Sequence, residues 1–229
     1  MDSWATRVGL EVRPTVDEAE LRAARHLHAK TYLEAGYVDH IAEDGLIDDP
    51  WIPYSDFFVA VTGEGEVVGT VRLIRPSPRG LQTFQHATLF PDQQAFFAEL
   101  RPDACVEVSS LATTRQGAEN REVAAALYAL VWRQSVLRGH AFMIALMDPR
   151  LLRVMQRTLS LPFEAIGPAK HSFGGNVAPA AMYVPDACDV YRHTFKPQHG
   201  DGAPLNTLED RVIDLRYEIP NQAIQSLAV

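Results

Sequence analysis

The sequence predicts a mixed α/β fold, with a central sheet and helices on both faces, in a single domain. Three observations predict it. Helix-period and strand-period segments alternate along the chain, as in layered α/β domains. The run "AFMIALM" (141–147) is apolar at every position, as in a strand covered on both faces. "DFFVAVTGEGEVVGTVRLIRP" (56–76) holds two β-rich runs around Gly63-Glu64-Gly65, a hairpin pattern.

The elements follow in order. "LEVRP" (10–14) reads as a short strand, and Thr15 with Glu18 has capping-box spacing that opens a helix over roughly 16–35. Leu21, Ala24, Leu27, Ala29, Tyr32 and Leu33 follow one face of it, and Gly36 ends it. Residues 37–55, with "EDGLIDDPWIPY", are acidic and aromatic and carry two prolines, which predicts an irregular segment. After the hairpin come a variable loop, a short helix at "PDQQAFFAEL" and a strand at "VEVSSLATTR" (106–115). Val123, Leu127, Leu130, Val131 and Leu137 then mark a helix from about Asn120 to Arg138, closed by Gly139. Asp148-Pro149 has the N-cap and N1 pattern of a helix running to about Leu159. "FEAIGPAKHSFGGNVAPAAMYV" fits two final strands around a glycine-rich bend. Residues 1–185 form the expected domain, and polar residues 186–229, with "QHGDGAP", are expected to be a loosely attached tail. The central strand–helix–strand unit is expected to cross over right-handed.

Composition narrows the function. Of 229 residues, 47% are apolar and 22% charged, ordinary for a globular protein. A net charge of −8 argues against general nucleic-acid binding, which needs a basic face. No apolar run approaches the roughly 20 residues of a membrane span, and the first residues lack the pattern of a secretory signal. A cytoplasmic protein is expected. Cys105 and Cys188 have no metal-ligand spacing and are expected to be free thiols. His26 and His28 lie two apart on a helix and point to different faces, so no metal site is expected.

Glu107 is the residue to explain. A carboxylate in a core strand costs several kcal/mol, on the order of 2–7 for a polar group, unless it is paired or neutralised. The stretches "HAKTYLEAGYV", "GLIDDP", "GEVVGTVRLIRP", "VEVSSLATTR" and "IGPAKHSFGG" stand in an order that resembles two groups of GNAT-superfamily acyltransferases. These are the autoinducer (acyl-homoserine lactone) synthases and the N-acyl amino acid synthases. The resemblance covers about residues 20–185 and implies transfer of a fatty acyl group from a carrier thioester to an amine. It places Glu107 and Ser109 on a Glu-x-Ser-Arg strand motif, Arg72 on the strand arginine after the hairpin, and Tyr32 on the aromatic of the first helix. Asp48 or Asp49 falls in the acidic loop that shapes the amine site. Two positions depart from the pattern: Ser110 stands where the motif has arginine, and His28 where the first helix has one. Both departures count against the homoserine-lactone precursor as acceptor. "RQGAENR" meets the GNAT phosphate loop poorly and leaves fewer backbone amides for a pyrophosphate, which favours a carrier protein over free coenzyme A.

An attacking amine must be uncharged, and a partly buried carboxylate with a raised pKa suits removal of its proton. Glu107 is the candidate base, with ion pairing to an arginine such as Arg72 as the structural alternative. Backbone N–H groups of Leu111, Ala112 and Thr113 are candidates for the oxyanion. Met143 and Ala145, with Phe142, Met147, Leu127 and Val131, are candidate lining for the acyl tail, and His171 is a candidate substrate contact. Arg150, Arg153 and Arg157 recur along one helix face, either as a solvated stripe or as a dock for an acidic acyl carrier protein. Cys105 lacks a sequence partner that would activate it, and no Gly-x-Ser-x-Gly elbow presents Ser109 as a hydrolase nucleophile. The expected activity is N-acyl transfer from an acyl-ACP or acyl-CoA co-substrate to a small amine, with no tightly bound cofactor. The alternatives are an acyl-CoA-dependent N-acetyltransferase and a catalytically silent acyl-binding domain.

Overall fold

The structure, a computed structural model, describes residues 4–5, 9–192 and 205–219. Strands β1 (Trp4–Ala5) and β2 (Glu11–Pro14) pair antiparallel before helix α1 (Glu18–Glu34). Asp17 caps α1: its carboxylate accepts from the Glu20 backbone N–H at 2.8 Å, and the Glu20 side chain returns to accept from Val16 N–H at 2.9 Å. The capping box therefore uses Asp17 and Glu20, two residues after the predicted pair. Arg13 holds the Glu20 carboxylate with bonds of 2.6 and 2.8 Å, which fixes that choice.

Strands β3 (Ser55–Val61) and β4 (Val67–Ile74) form the predicted hairpin, bulged between Ala60 and Val61. Gly65, at φ +84°, donates its N–H to Thr62 to close the turn. Helix α2 (Gln82–His86) occupies the segment read as loop, because five residues are too few to show a helical period. Helix α3 (Pro91–Glu99), strand β5 (Cys105–Thr113), helix α4 (Gly117–Leu137), strand β6 (Phe142–Met147) and helix α5 (Pro149–Thr158) follow, close to the predicted bounds. Asp148 caps α5 by accepting from Arg150 N–H at 2.6 Å. The chain then adds β7 (Glu164–Ala165), β8 (Lys170–Ser172), β9 (Gly175–Tyr183), α6 (Cys188–Arg192) and α7 (Leu205–Glu218).

Two compact units divide these elements. The first holds the residues up to Ile74 with Val108–Val131, and its strand order is β1-β2-β3-β4-β5. Helix α1 packs on β3 and β4, where Ala24, Phe57, Val59 and Val61 form a core cluster. Gly69 on β4 lets α4 approach closely: a Cβ there would stand 2.6 Å from Val123 Cγ1.

Among the described residues, the second unit holds Arg75–Glu107, Trp132–Arg192 and helix α7. Cys105–Glu107 of β5 pair in parallel with Phe142–Ile144 of β6, the arrangement expected of a strand–helix–strand crossover. Strand β6 pairs antiparallel with β9 along its whole length, and β7 and β8 pair with β9. Phe96, Phe97, Phe142 and Tyr183 stack as one aromatic cluster. The C-terminal segment is not loose where described. Helix α7 buries Leu208, Val212, Leu215 and Ile219, and its Leu215 carbonyl accepts from Tyr183 Oη at 3.3 Å. Those four residues have helical spacing, which the surrounding polar composition obscured. No helix among the described residues is long and apolar enough to cross a membrane.

Candidate active site

The first unit gathers several residues that the sequence placed far apart. The loop before β3 turns on Asp49, whose carboxylate accepts from Trp51 N–H at 2.8 Å. The same carboxylate is ion-paired with Arg72 on β4, and Arg72 is only 2% exposed. Arg72 also donates from Nε to Ser109 Oγ on β5 at 2.9 Å. One buried chain of bonds thus runs from the acidic loop through Arg72 to the serine. Asp48 is exposed, so of the two candidate aspartates it is Asp49 that joins this chain.

Ser110, next on β5, adopts φ +56°, a left-handed conformation that non-glycine residues rarely take inside a strand. Strain of this kind gathers at functional sites. Leu111 and Thr113 beyond it are half-buried and Ala112 is buried.

Tyr32 on α1 packs edge-on against His28, with ring centroids 4.2 Å apart, and lies 5.3 Å from Tyr37. Burial pushes the Tyr32 hydroxyl up to about 12; Tyr37 adds to this, while the Arg72 charge and a backbone hydrogen bond from Ser110 pull it down. The phenol stays protonated at neutral pH. His28 is lowered to about 3, first by burial, then by the Arg72 charge, with Arg25 adding and Asp49 opposing. It is a neutral imidazole. The sequence marked His28 only as a departure from a pattern and did not single out Tyr37. The i, i+4 spacing of His28 and Tyr32 was the available signal.

Glu107 lies in the second unit and is 1% exposed. Thr83 of α2 holds both of its carboxylate oxygens: N–H donates to Oε2 and the hydroxyl to Oε1, each at 2.9 Å. From its sequence context this acid is expected to be partly buried and to favour its protonated form. Two donors aimed at the carboxylate instead stabilise the charged form, opposing the effect of burial. Thr83 was not foreseen, because α2 itself was not.

The remaining candidates of this unit separate into interior and surface. Met143 and Ala145 are buried in β6, opposite Met182 and Ala180 of β9, so they pack the sheet core. Their neighbour Leu146 instead lines a crevice with Ala87, Thr88, Val177, Pro179 and Lys170, and Lys170 Nζ donates to Thr88 Oγ1 at 2.7 Å. His171 is exposed on β8, opposite Asn176. Arg150, Arg153 and Arg157 are exposed on α5, with exposed Leu151 and Val154 between them. Cys105 and Cys188 are both buried free thiols, and burial pushes Cys105 up to about 12, which leaves almost no thiolate to act as nucleophile.

Comparison with known proteins extends this picture. Residues 23–184 match the family model described as N-acyl amino acid synthase FeeM. Among solved structures, FeeM, an N-acyl amino acid synthase from uncultured soil microbes, is 22% identical with a TM-score of 0.61, covering 78% of this chain and 92% of that one. BjaI, a CoA-dependent acyl-homoserine lactone synthase solved with SAM and isopentyl-CoA, is 18% identical with a TM-score of 0.60, covering 84% and 91%. The acyl-homoserine lactone synthase LasI is 12% identical with a TM-score of 0.59, covering 76% and 89%. These structural likenesses show the fold, a GNAT-like mixed α/β sheet with helices. No curated protein matches.

Proposed function

Because the chain belongs to the FeeM family of N-acyl amino acid synthases, which are acyltransferases, we propose that it moves a fatty acyl group from a thioester to the amino group of a small molecule such as an amino acid. The donor is carried on an acyl carrier protein or on coenzyme A. The observation that carries this reading is the buried chain Asp49–Arg72–Ser109. The acidic loop that the family resemblance assigns to the amine site is bonded here to the motif's arginine and serine.

The chemistry is a substitution at the thioester carbon. The acceptor nitrogen forms the new C–N bond, the C–S bond breaks, the thiolate leaves, and the nitrogen gives up a proton. Glu107 is the proposed sink for that proton. Backbone N–H groups of Leu111, Ala112 and Thr113 are the proposed donors to the oxyanion, and the exposed arginines of α5 are the proposed carrier dock.

Complete burial of Glu107 also favours a second duty for this residue, that of anchoring α2 through Thr83. Mass-detected acyl-amine formation from carrier-bound and coenzyme A thioesters, with a panel of amines, tests the function. Glu107→Gln is expected to lower turnover per folded molecule at least tenfold, within the range general-base losses span, and Thr83→Val to lower the melting temperature by removing a buried donor to the carboxylate. A melting temperature that falls in both variants while turnover per folded molecule persists would leave Glu107 as an anchor only.

A further inference from the structure

Buried polar nitrogens in folded proteins nearly always have a partner. His28 breaks that rule. The residue is 7% exposed, and its Nε2 is buried with no hydrogen-bond partner among the described residues.

Its surroundings limit what could complete it. Burial and the Arg72 charge keep the imidazole neutral, and Arg25 on the preceding turn adds to this. Arg72 is already paired with Asp49. An arriving carboxylate would meet neither a protonated imidazole nor an uncompensated Arg72. An uncharged group faces no such penalty, and a neutral imidazole nitrogen can serve it as acceptor or donor according to tautomer. The Tyr32 ring packs against the imidazole, and Tyr32 is itself half-buried.

We propose that His28 Nε2 hydrogen-bonds an uncharged polar group of the acceptor, a hydroxyl or a carboxamide, and thereby selects the acceptor. The proposal rests on the acyl-transfer reading above and names the acceptor class for that site. His28 then substitutes neutral recognition for the charged recognition that an arginine at this position would give.

The test uses four amines of one carbon skeleton: the amino acid, its carboxamide, the corresponding amino alcohol and the plain alkylamine. Wild type, His28→Phe and His28→Gln are compared by kcat/KM with a fatty acyl thioester, and by calorimetric binding without donor. His28→Phe is expected to lose at least tenfold in both measures for the carboxamide and the alcohol, and less than threefold for the alkylamine. His28→Gln, which keeps a polar end, is expected to recover part of the loss. The melting temperature of His28→Phe should equal or exceed wild type, because an unpartnered buried nitrogen is removed. Equal effects on all four amines, no effect on any, or the largest effect on the amino acid would each overturn the proposal. Should wild type transfer no acyl group to any amine, the functional reading fails by itself, while the calorimetry still decides His28. Absence of binding by every amine overturns the proposal too.

Discussion

Arg72 carries a charge in a place where water barely reaches it, and Asp49 compensates it. Removing one partner of a buried ion pair leaves an uncompensated charge, at a cost of about 3–5 kcal/mol. Asp49→Asn is therefore expected to lose about that much stability in a urea titration, with an unchanged slope. Asp48→Asn, at the exposed neighbour, should stay within about 0.5 kcal/mol of wild type. His28 gives a second test through pH. Its folded pKa, about 3, lies below the unfolded value near 6.5, so the neutral form is the one the fold favours. The stability this contributes is fully present above pH 6.5 and is lost as pH falls toward 3, because the unfolded chain then binds a proton that the folded one refuses. The slope is at most about 1.4 kcal/mol per pH unit. Urea midpoints for wild type and His28→Phe should therefore diverge between pH 6.5 and pH 4, with wild type falling more steeply. Parallel curves would mean that His28 takes up protons in the folded protein.

Strand β5 carries an unusual local geometry. Ser110 holds φ +56° beside the hydroxyl of Tyr32, a conformation that glycine adopts without penalty and a β-branched residue resists. Ser110→Gly is expected to leave stability within about 1 kcal/mol of wild type, while Ser110→Val costs about 1–3 kcal/mol. Gly69 on β4 is a packing requirement of a different kind. Gly69→Ala would set a methyl group 2.6 Å from Val123 Cγ1 and 3.3 Å from Leu127 Cδ1, and overpacking of this sort costs about 1–3 kcal/mol. These elements also divide what the sequence revealed from what it hid. The apolar periods of α1 and α4, the glycine turn between β3 and β4, and the Asp148-Pro149 start of α5 all act over a few residues, so their positions could be read directly. The Arg72–Ser109 bond spans 37 positions, and Glu107 reaches Thr83 across 24, distances over which no local rule operates. Helix α2 was invisible because five residues show no helical period, and the carboxylate that accepts from its first turn lies 24 positions away. Resemblance to a family supplied Arg72, Ser109 and Glu107 as names, but left open which of Asp48 and Asp49 joins them.

At the scale of the whole molecule, charge sets the terms for a macromolecular donor. The chain has 21 basic and 29 acidic residues, a net charge of −8, so an acidic carrier protein meets general repulsion and needs a local exception. The proposed dock on helix α5 is one. Arg150, Arg153 and Arg157 are exposed along it, and exposed Leu151 and Val154 offer apolar contact between them. Two arginines reversed to glutamate change the local charge by four. Complementary charge acts mainly on encounter, and the Debye length near 8 Å at physiological ionic strength confines the effect to this face. The Arg153→Glu, Arg157→Glu double variant is expected to raise KM for a carrier-bound acyl donor about tenfold. Its kcat should hold, and a short acyl-pantetheine thioester, which carries no protein to repel, should show no change. Added salt should close the gap by weakening wild-type binding more than that of the variant. The variant's stability should not fall, since these arginines form no ion pair among the described residues. An equal rise in KM for both donors would show that the arginines act on the small-molecule part of the donor, and that no carrier docks on α5.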